Sequence, residues 1–157
     1  MLTPMTEDIS SVIAIVAALV AALSALYARW QAKAARRANE ISLHANRLAV
    51  FTGLARFRVH VTARGTGISE EEVWRFAEIA ELSEFYFPSA VHPKMSAVYE
   101  QSLKLLSLND EWEHARQHEP EKAKALVGPR HELVRNTRDE CYKITDELKK
   151  HLRIGGV

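Results

Sequence analysis

The side chains best placed to do chemistry are two histidines four residues apart, His114 and His118. On a helix this spacing puts both imidazoles on one face, where they can bind a metal ion. Zinc sites of this kind also need a third ligand, and only Glu121 and His131 are placed in the sequence where a favourable fold could supply one. The pattern favours solvated histidines near a helix end, so we expect no metal site and no cofactor.

The other candidate reactive groups do not form a recognisable catalytic motif. The single cysteine, Cys141, falls on the expected core face of a helix, where thiols are usually inert. The pair of carboxylates at Glu70 and Glu72 is explained by helix capping and solvation. The chain has no GxSxG motif, and residues 65–67 lack the spacing of a phosphate-binding loop. We therefore expect no catalytic residues and a protein that is not an enzyme.

A long apolar segment, residues 9–27, determines where these groups are held. Its nineteen residues carry no charge, and nine of them are Ile, Val or Leu. As a helix the segment spans roughly 28 Å, close to the thickness of a bilayer's hydrocarbon core. The aliphatic side chains favour insertion by about 3 to 5 kcal/mol. We predict a single transmembrane helix over residues 9–28.

Charges on either side of this segment predict its orientation. Glu7 and Asp8 precede it, whereas residues 29–64 carry eight basic residues against one acidic residue. The positive-inside rule then makes residues 1–8 a short extracytoplasmic N-terminus and puts the remainder in the cytoplasm. The alternative is a cleaved signal peptide, but its N-terminus would be positively charged and its apolar core shorter. We favour the uncleaved anchor.

Residues 29–40 are predicted to form a basic juxtamembrane helical stalk. The residues expected at the membrane interface, next to anionic headgroups of the inner leaflet, are Tyr27, Arg29, Trp30, Lys33, Arg36 and Arg37. Nucleic acid is the less favoured partner because the membrane is adjacent and residues 65–90 carry a net charge of −5. Small residues at four-residue spacing can bring helices together in lipid, so we predict that helix association involves Ala14, Ala18 and Ala22.

Residues 41–152 are predicted to form a cytoplasmic, antiparallel bundle of about four helices, and the fold class is all-α. The first helix continues from the membrane to about Ala63, where residues 64–67 predict a turn, and further helices cover residues 69–84, 93–114 and 130–152. The helix over residues 69–84 is expected to bury Val73 and Phe76. Ser69 and Glu72 match a capping box at the second helix. Gly128 and Pro129 are expected to interrupt the chain before the last helix. Residues 153–157 are expected to form a flexible tail.

Two neighbouring stripes of apolar residues run along the first helix. One comprises Ile41, Ala45, Leu48, Thr52, Ala55 and Val59, and the other comprises Val50, Leu54, Phe57 and Val61. Together they predict a wide face that packs against other helices. The aromatic residues 85–87 offer two interpretations, an exposed docking loop or rings that cap the core, and we favour the second.

Part of the chain resembles a group of uncharacterised bacterial proteins that have one N-terminal membrane helix and a small cytoplasmic helical domain. The resemblance covers about residues 40–110. It is carried by residues at corresponding packing and capping positions: Arg47, Leu48, Val50, Phe51, Ser69, Glu72, Phe85, Tyr86, Phe87, Val98, Tyr99 and Leu103. It implies a single-pass protein of a bacterial inner membrane, and it implies no particular reaction.

Three functional hypotheses follow. The leading one is a membrane-anchored, non-enzymatic interaction or scaffolding module whose partner is another protein or further copies of the chain. A second is a toxic or phage-defence effector that perturbs the membrane as an oligomer. A third is a helical bundle that binds a metal ion or small ligand.

Overall fold

The computed structural model describes the backbone of residues 4–152 and the side chains of residues 12–152. These residues form four α-helices, and none of them lies in a β-strand, so the predicted all-α class is confirmed. The helices are α1 (Pro4–Arg64), α2 (Glu70–Tyr86), α3 (His92–His118) and α4 (Pro120–Leu152). A short 3₁₀ turn, Gly65–Gly67, follows α1. The expected tail at 153–157 lies outside the described residues.

The chain divides into two units within the length of α1. The first unit ends at Ser42, and its described side chains, residues 12–42, are all exposed. The second unit begins at Leu43 and contains the hydrophobic core. Among the side chains that the structure describes, those of the second unit therefore bury the apolar surface that stabilises a compact domain.

The core of the second unit draws on all four helices. From α1, Val50, Leu54, Phe57 and Val61 are buried, as the second apolar stripe predicts. Phe57 stacks on Phe76 of α2 with ring centroids 4.3 Å apart. Other members of the core are Ile68, Val73, Phe87, Val91, Met95, Val98, Leu105, Cys141, Ile144 and Leu148.

Neighbouring helices are joined along their length by paired contacts. Between α1 and α2, Ser69 contacts His60, Glu72 contacts Arg56, and the carbonyl of Tyr86 accepts a hydrogen bond from Arg47. Between α3 and α4, the contacts join Lys94 to Glu147, Gln101 to Thr137 and Asn109 to Arg130.

Gly65 makes the turn that separates α1 from α2. Its φ angle of 58° lies in the left-handed region, which costs a residue with a β-carbon about 1 kcal/mol or more. The sequence prediction of a turn at this point is confirmed, with α1 ending at Arg64. The turn brings the end of α1 next to the start of α2.

The predicted capping box at Ser69 is wrong in its hydrogen bonds, although Ser69 does occupy the N-cap position. Its side chain makes no capping hydrogen bond, and its backbone N–H instead donates to Nε2 of His60 at 3.1 Å. The Glu72 carboxylate accepts hydrogen bonds from Arg56 and Arg75. Tertiary partners on α1 have replaced the local partners that a capping box requires.

The predicted interruption at Gly128 and Pro129 is also wrong, because α4 continues through both residues as one helix of 33 residues. A proline inside a helix removes one backbone hydrogen bond and costs about 3 kcal/mol. Side chains on both sides of it are buried, including Ala123 and Arg130, so packing of the whole helix offsets that cost.

The aromatic segment at the end of α2, residues 85–87, combines the two interpretations that its sequence offered. Phe87 is 7% exposed and belongs to the core, and Tyr86 is partly buried against it. Phe85, in contrast, is 74% exposed. The preferred interpretation, rings that cap the core, therefore holds for Phe87 and Tyr86 and is wrong for Phe85, which points to solvent.

Candidate functional site

The apolar part of α1 exposes large hydrophobic side chains on every side. Its Ile, Val and Leu residues from 12 to 26 are each at least 53% exposed. By length and composition, α1 is the only helix of the described residues that could cross a membrane. A helix that is apolar all round and carries no packing of its own needs another apolar environment, which lipid or a second helix supplies.

The residues expected at the membrane interface follow on the same helix. Tyr27 is 65% exposed and Trp30 is 76% exposed, and the four basic residues among them are exposed as well. Trp30, Lys33 and Arg37 line one shallow groove, and Arg29, Lys33 and Arg36 line another. Lys33 thus belongs to both grooves, and Trp30 lines only the first.

The three alanines proposed for helix association, Ala14, Ala18 and Ala22, are also exposed. Their spacing of four residues aligns them along one side of α1. Between the large side chains of the segment they leave a shallow strip without bulky groups.

A second exposed strip lies on α1 in the second unit. We call it the α1 seam and define it by Ala45, Leu48, Thr52, Ala55 and Val59, of which Ala55 is half-buried and the other four are exposed. Leu48 is 47% exposed and Val59 is 61% exposed, whereas the parallel stripe of Val50, Leu54, Phe57 and Val61 is buried. The expectation that both stripes pack within the bundle is therefore wrong for the seam. Its alternating steps of three and four residues match the apolar repeat of a coiled coil.

A cluster of charges lies beside the contact between α1 and α2. Glu72 accepts hydrogen bonds from Arg56 at 2.6 Å and from Arg75 at 2.9 Å, and its side chain is only 15% exposed. Burial acts to raise the pKa of Glu72, but the hydrogen bond from Arg56 and the positive charges nearby outweigh it, so the pKa lies below its ordinary value. These side chains and Gly53 line a cavity of about 300 Å³. The pairing leaves few charges free to act on a substrate.

Cys141 is the only cysteine, and it lies in the core as the sequence predicts. Its side chain is fully buried, and burial raises the pKa of the thiol to about 12. The thiolate is the reactive form of cysteine, so this group is a poor nucleophile near neutral pH.

A polar network joins α3, α4 and the turn after α1. Nε of Arg130 on α4 donates to the side-chain carbonyl of Asn109 on α3 at 2.8 Å. The amide of Asn109 in turn donates to the carbonyl of Thr66, in the turn after α1. Arg130 also lies 4.2 Å from the ring centroid of Trp112 and is 9% exposed. Each of these polar groups has a partner within the network, which is typical of a network that stabilises the fold.

The histidine pair that the sequence singles out does not gather a third ligand. The rings of His114 and His118 are stacked 4.7 Å apart, and Nδ1 of His118 lies 3.0 Å from the carbonyl oxygen of His114. Among the side chains that the structure describes, one group of three potential metal ligands lies together, and it consists of Glu81, Glu84 and His92. This group was missed in the sequence because its ligands come from two helices and match no linear motif.

Comparison of the chain with models of known protein families, with characterised proteins and with solved structures finds no match. The resemblance to bacterial proteins with one membrane helix therefore stays a prediction. Function has to be argued from the exposed surfaces and their chemistry.

Proposed function

We propose that this protein is a membrane-anchored, non-enzymatic interaction module that associates with further copies of itself at the cytoplasmic face of a bacterial inner membrane. The observation that carries the proposal is the α1 seam, an apolar strip left exposed on a helix whose opposite face is buried. The fully buried Cys141 supports the non-enzymatic part, since it removes the chain's single thiol from reach of a substrate.

Insertion in the membrane is supported by the exposed apolar side chains of residues 12–26. Exposing this apolar surface to water would cost about 25 cal/mol of free energy for each Å². The basic residues that follow it support a cytoplasmic location of the second unit through the positive-inside rule. Arg29, Lys33, Arg36 and Arg37 would each gain about 1 kcal/mol beside anionic headgroups.

An antiparallel arrangement of the helices in the second unit is supported by the order of their contacts. Lys94 near the start of α3 contacts Glu147 near the end of α4, and Asn109 further along α3 contacts Arg130 earlier on α4. The same reversal relates α1 to α2, where Arg56 meets Glu72 and the earlier Arg47 meets the later Tyr86.

A second copy of the chain is the occupant that best fits the α1 seam. Two copies inserted in one membrane share the same direction, so their α1 helices can pair in parallel with equal residues opposite each other. Only Leu48 and Val59 of the seam are large, and the small residues Ala45, Thr52 and Ala55 allow the two backbones to approach. The ion pair with Glu72 neutralises Arg56, which would otherwise repel its equivalent beside the seam.

Anchoring strengthens this association. A seam of about four helical turns is a small interface and would dimerise weakly between free molecules in solution. Two chains held in one membrane meet at a much higher effective concentration and in a fixed orientation.

Single cysteines test the pairing directly in membranes that contain the full chain. Leu48→Cys and Val59→Cys each place an exposed thiol on the seam, and native Cys141 is buried and gives no background. Equivalent residues of a parallel pair lie at roughly the 4.4–6.8 Å between α-carbons that a disulfide requires. Mild oxidation should therefore convert both variants to covalent dimers.

Leu82→Cys is the matched control, because Leu82 is a leucine of α2 rather than of the seam and is 40% exposed. It should react with a maleimide as readily as Leu48→Cys and form few dimers on oxidation. Equal dimer yields at Leu82 and Leu48, or no dimer at either seam position, would refute self-association through α1.

A further inference from the structure

We propose that Glu81, Glu84 and His92 form a binding site for a divalent transition-metal ion, and that Zn²⁺ is the ion that suits it best. One ring nitrogen of His92 and one carboxylate oxygen of each glutamate all lie within 4.8 Å of one another. The two glutamates are exposed on the last turns of α2, and the half-buried histidine begins α3. The site is separate from the α1 seam and does not depend on the function proposed above.

The orientation of His92 is the observation that points to a metal ligand. Its Nδ1 lies 3.0 Å from the backbone carbonyl oxygen of Ala80. A carbonyl oxygen can only accept a hydrogen bond, so Nδ1 is the donor in this contact, and the tautomer that fits it has its lone pair at Nε2. Histidines that bind metals are typically held in this way, with the other ring nitrogen donating to a backbone carbonyl or a carboxylate.

The remaining neighbour of the ring leaves this lone pair available. The hydroxyl of Ser96 lies 3.4 Å from Nε2, a distance too long for a strong hydrogen bond. A metal ion would displace this weak contact by a small rotation of the hydroxyl. The backbone contact of Nδ1 is independent of the two carboxylates, so the ring is already fixed before any ion arrives.

The mixture of one nitrogen and two oxygen ligands selects the class of ion. Zn²⁺ binds imidazole nitrogen at about 2.0–2.1 Å and carboxylate oxygen at about 2.0–2.2 Å in a tetrahedron. Three such ligands leave the fourth position to water. Ligand atoms of a tetrahedral site lie about 3.4 Å apart, so Glu81 and Glu84 need to move inward by about 1 Å. Mg²⁺ and Ca²⁺ prefer oxygen ligands alone and gain little from His92.

A bound ion would connect two helices across the turn between them. Glu81 and Glu84 belong to α2 and His92 to α3, and residues 87–91 lie between these helices. Because the unfolded chain does not hold the three ligands together, binding should stabilise the folded state. The expected effect is a rise in the unfolding temperature of the second unit on addition of Zn²⁺.

Titration of the full-length protein in detergent micelles with Zn²⁺ tests the site, by calorimetry or by competition with a zinc indicator. We expect one ion per chain and a rise in unfolding temperature. His92→Gln and Glu84→Gln should each weaken binding at least about tenfold. His118→Gln should leave the affinity unchanged, and it also removes the histidine pair on α3 as an alternative site. Mg²⁺ in millimolar excess should not displace the zinc.

The variants decide between the possible outcomes. Glu84 is exposed, so Glu84→Gln should fold normally and can be interpreted even if His92→Gln unfolds. Unchanged affinity in Glu84→Gln, loss of binding in His118→Gln, or no binding to the unaltered protein at 100 µM Zn²⁺ would each overturn the proposal.

Discussion

Gly53 of α1 packs directly against Ile79 of α2, since a β-carbon added to Gly53 would lie 2.6 Å from Cγ1 of Ile79. Carbon atoms do not approach this closely, so the two helices require a residue without a side chain at this position. Gly53→Ala should push the helices apart or force Ile79 from its rotamer. We expect a loss of about 1–3 kcal/mol in the free energy of unfolding, measured by urea denaturation of the solubilised protein.

Gly67→Ala is the control, because Gly67 has no positive φ angle and an added β-carbon there meets no atom within 4 Å outside its chain neighbours. Replacing such a glycine by alanine reduces the freedom of the unfolded chain and stabilises a protein by about 0.4–1 kcal/mol, so this variant should be slightly more stable than the unaltered protein. A Gly53→Ala variant that gains stability in the same way would contradict the close approach of α1 and α2.

Glu72 should make the second unit sensitive to acid. Burial raises the pKa of Glu72, but Arg56, Arg75 and His60 together hold it below the ordinary value of 4.5. A carboxylate with a lowered pKa in the folded state contributes stability above its unfolded pKa, and the contribution disappears as the pH falls through the folded value. The free energy of unfolding should therefore drop between about pH 5 and pH 3, and Glu72→Gln should make this drop smaller.

The control for this experiment is Glu71→Gln. Glu71 also pairs with Arg75, but its side chain is 71% exposed, so solvent screens the interaction. Its removal should leave the acid dependence nearly unchanged. An identical slope in the unaltered protein and in Glu72→Gln would show that Glu72 is not held in its ionised form by Arg56.

Cys141 should be protected from thiol reagents in the folded protein. With a thiol pKa of about 12, roughly one molecule in 10,000 carries the thiolate at pH 8. Labelling with a maleimide should therefore be slow in buffer and fast in denaturing urea. Leu82→Cys supplies an exposed thiol for comparison, and rapid labelling of Cys141 without denaturant would contradict its burial.

The network of Arg130, Asn109 and Thr66 should stabilise the end of the bundle near the first turn. Arg130→Met keeps an unbranched apolar chain against Trp112 but removes the donor to Asn109, which leaves a partly buried carbonyl without its bond. We expect a loss of about 1–3 kcal/mol in the free energy of unfolding. Arg116→Met is the control, because Arg116 also lies near Trp112 but is 58% exposed, and it should change the stability by less than about 0.5 kcal/mol.

Much of the core could be predicted from the sequence, because the periodicity of apolar residues directly reports the buried face of a helix. Val50 and Leu54 on α1, Val73 and Phe76 on α2, and Cys141 on α4 were all expected inside and are buried. The turn at Gly65 could also be predicted from the sequence, since glycine there allows the positive φ angle that ends α1.

Features that depend on contacts between helices could not be predicted. The buried stripe on α1 has the bulkier side chains, but both stripes contain large apolar residues, and only the positions of α2, α3 and α4 decide that Leu48 and Val59 stay exposed. The sequence around Pro129 predicts a break in the helix, because the tertiary packing that keeps α4 continuous on both sides of Pro129 cannot be seen in neighbouring residues. The cluster of His92 with Glu81 and Glu84 needs the turn that brings two helices together.

The central claim, a membrane anchor that holds the second unit in the cytoplasm, is tested most directly by labelling single cysteines in intact cells. A membrane-impermeant maleimide should label Thr6→Cys from outside, and it should label Leu82→Cys only after the inner membrane is permeabilised. Labelling of Leu82→Cys in intact cells would contradict the orientation. Recovery of the protein in the soluble fraction without its first two dozen residues would contradict the anchor itself.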